Sequence, residues 1–113
     1  MRKTLDEIKL AQKEFDLTHK VGAKSFYTEI NEQNISELEH LAVCLSGEFG
    51  EFCNIVKKIS RGDFTLQSAK AELSEELADT FIYLLKISNQ LDIDIETEVF
   101  KKIDKNKTRF SKV

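Results

Sequence analysis

Two short runs of acids stand out as groups able to do chemistry: Glu48 and Glu51, three residues apart, and Glu76 and Asp79, again three apart. On a helix that spacing sets two side chains roughly 60° apart, aimed at one volume. The sign is wrong for stability, because like charges at this spacing cost a helix a few tenths of a kcal/mol, and more where water is partly excluded. Gly47 and Gly50 bracket the first pair. Each glycine costs about 1 kcal/mol relative to alanine inside a helix. A sequence that accepts both penalties in one turn is meeting a need other than folding. Close approach of a ligand or a second backbone would explain the glycines, and a cation would explain the charges. Four carboxylates form a hard, oxygen-only ligand set suited to Mg²⁺, which keeps several waters and completes its octahedron with substrate phosphates. Mn²⁺ is an acceptable substitute. The bland alternative is a set of solvated acids in a chain that is 33% charged.

Helices must position these acids. The sequence has no proline and four glycines, and helical periodicity dominates, which predicts an all-α domain. Thr4-Leu5-Asp6-Glu7 fits a capping box and opens a first helix to about Thr18. Residues 19–33, with Gly22, read as a long loop or short helical turn. Ser36-Glu37-Leu38-Glu39 reads as a second capping box, opening a helix to about Ser60. Gly62 and Asp63 break the chain; Thr65 caps a third helix to about Leu91. Asp92 or Asp94 caps a fourth, ending near Phe110. Leu38, Leu41, Ala42, Leu45, Phe49, Phe52, Val56 and Ile59 form an apolar stripe on the second helix. Ala69, Leu73, Leu77, Phe81, Leu84, Ser88 and Leu91 do the same on the third. The two stripes should pack antiparallel across the break at Gly62, giving a four-helix-bundle-like fold. The acids then lie beside the stripes, near the middle of each helix, where they can face one another.

The 113 residues, 41% hydrophobic, suit one domain over residues 1–113. A domain so small buries a limited share of its surface, and oligomerisation is a common remedy. No apolar run approaches the ~18–20 residues needed to span a bilayer. Acidic residues follow Met1 closely, so no signal peptide is expected and the cytoplasm is the expected compartment. A net charge of −3 argues against duplex nucleic acid as a partner. Cys44 and Cys53 read as free, partly buried thiols, and His19 and His40 as ordinary surface or interface histidines. Glu37-Leu38-Glu39-His40 supplies a single Glu-x-x-His match, whereas di-iron carboxylate bundles need two. Near the C-terminus Lys102, Asn106 and Arg109 follow steps of four and three, so one face offers ammonium, amide and guanidinium donors to phosphate oxygens or a base edge. Asn106 also falls within the apolar stripe Ile95, Val99, Ile103 and Phe110, where a buried Asn can fix helix register.

Gly47-Glu48-Phe49-Gly50-Glu51-Phe52, followed by Glu75-Glu76-Leu77-Ala78-Asp79-Thr80-Phe81-Ile82-Tyr83-Leu84, resembles the MazG-like all-α nucleoside triphosphate pyrophosphohydrolases. Their signature is Glu-x-x-Glu, a spacer, then Glu-x-x-Asp. The closing segment from Lys102 to Phe110 is similar to the family's terminal Lys…Asn…Arg-aromatic run. The resemblance covers roughly residues 36–110. It implies Glu48, Glu51, Glu76 and Asp79 as Mg²⁺ ligands and catalytic groups, and Tyr83, Lys102, Asn106 and Arg109 as nucleotide contacts. It also implies hydrolysis of (d)NTP to (d)NMP and pyrophosphate by a homodimer or homotetramer. Lys58 is a further substrate-binding candidate, standing where members acting on dCTP place a tryptophan. The N-terminal base-recognition segment of those members is also rich in tryptophan; this chain has none, but Phe26 and Tyr27 can stack a base.

The reaction so implied is attack of water, oriented by the metal or by Glu48 or Glu51, on a phosphorus of the triphosphate. Two other readings compete. One is a non-catalytic helical module pairing its apolar face with a partner helix; the other is a relative that binds nucleotide without turnover.

Overall fold

The computed structural model describes residues 2–113. Its four helices are α1 (Leu5–Thr18), α2 (Ile35–Ser60), α3 (Leu66–Gln90) and α4 (Ile95–Arg109). Each start has a local cause. The Thr4 hydroxyl accepts from the Glu7 amide at 3.2 Å, and the Glu7 carboxylate reaches back to the Thr4 amide. Thr65 accepts from the Ser68 amide at 3.0 Å, opening α3. Asp94 accepts from the Thr97 amide at 3.2 Å, opening α4, so the choice between Asp92 and Asp94 falls on Asp94. Asp92 instead adopts the left-handed conformation (φ 54°) that ends α3, which short polar side chains tolerate.

Three expectations need correction. α2 begins at Ile35 with no side-chain cap, so Ser36 does not open a capping box. Asn34 cannot cap because its amide group closes the preceding turn, accepting from Asn31 N–H and donating to the Glu29 carbonyl. The stretch expected as a loop contains a two-stranded antiparallel hairpin, β1 (Lys20–Val21) and β2 (Lys24–Ser25), turned by Gly22 at φ 61°.

The third concerns the stripes. α2 and α3 pack antiparallel along their length and α1 packs on α3, but the buried residues are Leu41 and Ile55 on α2 and Ala69, Leu85, Ser88 and Gln90 on α3. Phe49, Val56, Leu77, Phe81 and Leu84 are exposed. The line facing across the pair therefore runs through Leu41, Glu48 and Ile55 on one helix and Ala69, Glu76 and Tyr83 on the other, in steps of seven. Glu48 and Glu76 lie in the seam, not beside it, while Glu51 stays exposed.

α4 makes only marginal contact with the other elements, and Val99, Phe100, Ile103 and Phe110 along it are exposed. The radius of gyration is 17.1 Å, against about 13 Å for a compact chain of this length. No helix among the described residues is long and apolar enough to cross a membrane.

Candidate metal centre

Seven residues, two turns, separate Glu48 from Leu41 and from Ile55, both buried. That anchoring turns Glu48 toward α3, where Glu76 and Asp79 meet it. One carboxylate oxygen from each of the three lies within 4.8 Å of the others. Glu51 stands at the exposed rim, outside that triplet but close enough to help raise the pKa of Glu76.

The electrostatics follow. The Glu76 carboxyl is pushed up from 4.5 to about 7, first by burial and then by hydrogen bonds and like charge from Glu51 and Glu48. Its Oε2 atom is buried without a hydrogen-bond partner. Close carboxylates, one of them reluctant to ionise and carrying an unmatched oxygen, fit a divalent cation: the ion would supply the missing partner and reverse the local field. Tyr83 lies one turn beyond Asp79. Its hydroxyl pKa is raised, first by burial, then by Cys44, Glu48 and Asp79, so the phenol stays neutral and able to donate.

Glu48, Asp79 and Tyr83 also line one end of a cavity of about 560 Å³, within the range of small-molecule sites. The other end lies under the N-terminal segment, lined by Phe15, Phe26 and Lys86. Phe15 and Phe26 stack with centroids 6.2 Å apart. Gln90 fastens this segment to α3: its amide nitrogen donates to the Phe26 carbonyl at 3.1 Å, and its oxygen accepts from the Thr28 amide at 3.3 Å.

Other expected contacts fall elsewhere. Lys58 sits over the Phe64 ring at 5.9 Å, outside the cavity and about 15 Å along the helix from Glu48. Tyr27 does not line the cavity, because its hydroxyl is spent on the Asn89 carbonyl at 3.3 Å. Lys102, Asn106 and Arg109 share a face of α4, which the single chain does not bring to the acids. Asn106 is half-buried with its Oδ1 unpartnered. An added methyl at Gly47 or Gly50 would meet nothing within 4 Å, so nothing in one chain requires those glycines. Cys44 is half-buried as expected, whereas Cys53 is exposed; both are free. His40, expected as an ordinary surface or interface histidine, is exposed and also lines the cavity. Sequence reasoning missed Asp16 and Lys86, whose pairing across 70 residues leaves no local signal.

Comparison with known proteins adds the decisive observation: residues 36–113 match the MazG nucleotide pyrophosphohydrolase domain. The chain belongs to that family. It is similar to the Gene 37 protein of Mycobacterium phage L5, 35% identical over 79 residues, 67% of this chain and 68% of that one. It is also similar to dCTP pyrophosphatase 1 of Rattus norvegicus, 28% identical over 89 residues, 75% of this chain and 52% of the rat protein. The chain thus spans about half the length of the rat relative. The matched span of this MazG domain contains all four acids and the whole of α4.

Proposed function

We propose that this MazG domain is a divalent-metal-dependent nucleoside triphosphate pyrophosphohydrolase of the cytoplasm, converting (d)NTP and water to (d)NMP and pyrophosphate. The observation that carries the reading is the Glu48–Glu76–Asp79 triplet opening into a cavity that runs from the acids to an aromatic-lined end. Glu48, Glu51, Glu76 and Asp79 would hold Mg²⁺, or Mn²⁺ in its place. When bound, the ion neutralises charge developing on the phosphate oxygens and makes water a better nucleophile. Glu48 or Glu51 orients the attacking water and takes its proton. The bridge between the α- and β-phosphorus breaks and pyrophosphate leaves. Tyr83, protonated throughout, donates a hydrogen bond at the boundary between acids and nucleoside. Phe26 and Phe15 flank the base end.

Phosphate charge also needs cations, and none of Lys102, Asn106 or Arg109 reaches the acids within one chain. A homodimer, or a tetramer built from it, resolves this: the exposed apolar faces of α2, α3 and α4 become the interface, and a neighbouring copy's α4 delivers these donors. Gly47 and Gly50, open in one chain, would admit that close approach.

The test is product identity. Purified protein with Mg²⁺ and a panel of NTPs and dNTPs, followed by ³¹P NMR, should give monophosphate and pyrophosphate. Diphosphate with orthophosphate, or unchanged substrate throughout the panel, contradicts the proposal and favours a binding or interaction role.

A further inference from the structure

The α3 face that carries Asp79 and Tyr83 continues through Lys86 and Gln90 along the same cavity. Lys86 lies seven residues beyond Asp79, about 10 Å along the helix axis. In the proposed hydrolase, a triphosphate held at the acids projects its sugar along this face and its base toward Lys86.

Lys86 is not free to swing into solvent. Its side chain is 11% exposed and its ammonium donates to Asp16, itself 0% exposed, at 2.7 Å. The same Asp16 oxygen accepts the Gln12 amide at 3.0 Å. The Phe26 ring centroid lies 5.1 Å from the ammonium nitrogen, covering another side of it. Burying such a pair takes two charges out of water, and apolar residues of similar volume often hold two helices together as well or better. Fastening α1 to α3 therefore does not by itself explain why a cation lines this cavity. An ammonium has three hydrogens and no lone pair; Asp16 engages one hydrogen and the aromatic face shields a second direction. What remains is a fixed donor without acceptor capacity, at the end of the cavity remote from the phosphate site.

We propose that Lys86 is a specificity-determining residue that donates to an exocyclic carbonyl oxygen of the nucleobase, so that guanine, cytosine, uracil and thymine nucleotides are taken in preference to adenine. Adenine has no such oxygen, and binding it leaves the ammonium hydrogen that Asp16 does not engage without a carbonyl acceptor. Asp16 acts through Lys86 as a positioning residue. The inference rests on the hydrolase reading for where the phosphates go, but base selection is read separately from turnover.

The experiment is calorimetric binding of α,β-imido analogues carrying adenine, guanine, cytosine and uracil, with Mg²⁺, to the wild type, K86M, K86R and D16N. The wild type should bind each oxo-base analogue at least about tenfold more tightly than the adenine analogue. K86M should bring the difference below about threefold, chiefly by weakening the oxo bases. K86R, which keeps a donor, should retain part of the preference, and D16N should reduce it. Should K86M fail to fold, the double variant K86M/D16L, which removes the buried carboxylate together with its partner, replaces it. Equal wild-type affinity for all four overturns the proposal, as does a K86M protein that melts earlier yet keeps the preference, the result for a purely structural ion pair. Absence of binding overturns both readings. Base-selective binding without pyrophosphate release overturns only the hydrolase, and release without base selection overturns only the role of Lys86.

Discussion

Glu76 occupies a seam position, seven residues after buried Ala69, where an apolar side chain would normally pack. Its raised pKa, about 7 in place of 4.5, fixes the sign of a pH effect. Between roughly pH 4.5 and 7 the folded chain keeps a proton that the unfolded chain has released, so stability falls as pH rises through that window and levels off above it. In chelator, the melting temperature should drop from pH 5 to pH 8; a flat profile contradicts the burial and crowding assigned to this carboxyl. Added Mg²⁺ should reverse the loss at pH 8, because an ion that binds only the folded state stabilises it. E76Q removes one of the crowded charges. It should melt at or above the wild-type temperature without metal, yet lose roughly 100-fold or more in turnover. A destabilised variant, or one that keeps its activity, counts against the assignment.

Helices α1 to α4 were legible in the sequence nearly to the residue, because Thr4, Thr65 and Asp94 cap locally and Gly62 breaks locally. The hairpin at residues 20–25 was not legible: two-residue strands of exposed Lys, Val and Ser carry no alternation. The burial of the stripes was legible only in part: Leu41, Ala69 and Ser88 are buried as expected, whereas Phe49, Val56, Leu77, Phe81 and Leu84 are exposed. Apolar residues cover so much of α2 and α3 that steps of three and four do not say which face meets the partner helix, and Glu48 and Glu76 looked like the rim of a core when they lie at the seam. At this scale, Leu85→Ala should cost about 2–5 kcal/mol in chemical denaturation, since Leu85 is 2% exposed. Thr65→Ala should cost about 1 kcal/mol through the lost cap of α3. Values near zero for both place the core elsewhere. The aromatic end of the cavity was half legible: Phe26 was noticed, but the Gln90 clasp that holds it joins residues 64 apart.

The molecule as a whole is more open than a compact chain of its length. Its radius of gyration exceeds the compact expectation by several ångström, α4 stands off, and exposed apolar side chains continue across α2, α3 and α4. Analytical ultracentrifugation should find a dimer or tetramer, and Ile103→Asp should shift it toward monomer with loss of turnover. A wild-type monomer at micromolar concentration contradicts this. Mixing E76Q with an Arg109→Ala protein should restore part of the activity that each lacks alone, if α4 serves a neighbour's acids. All of this depends on the seam carboxylates holding a divalent ion. The most direct measurement is Mn²⁺ binding followed by electron paramagnetic resonance in the wild type, E48Q, E76Q and D79N. The account predicts saturable binding at pH 8 that weakens at least about tenfold in each variant. Binding unaffected by all three substitutions, or none in the wild type even with nucleotide present, would contradict it.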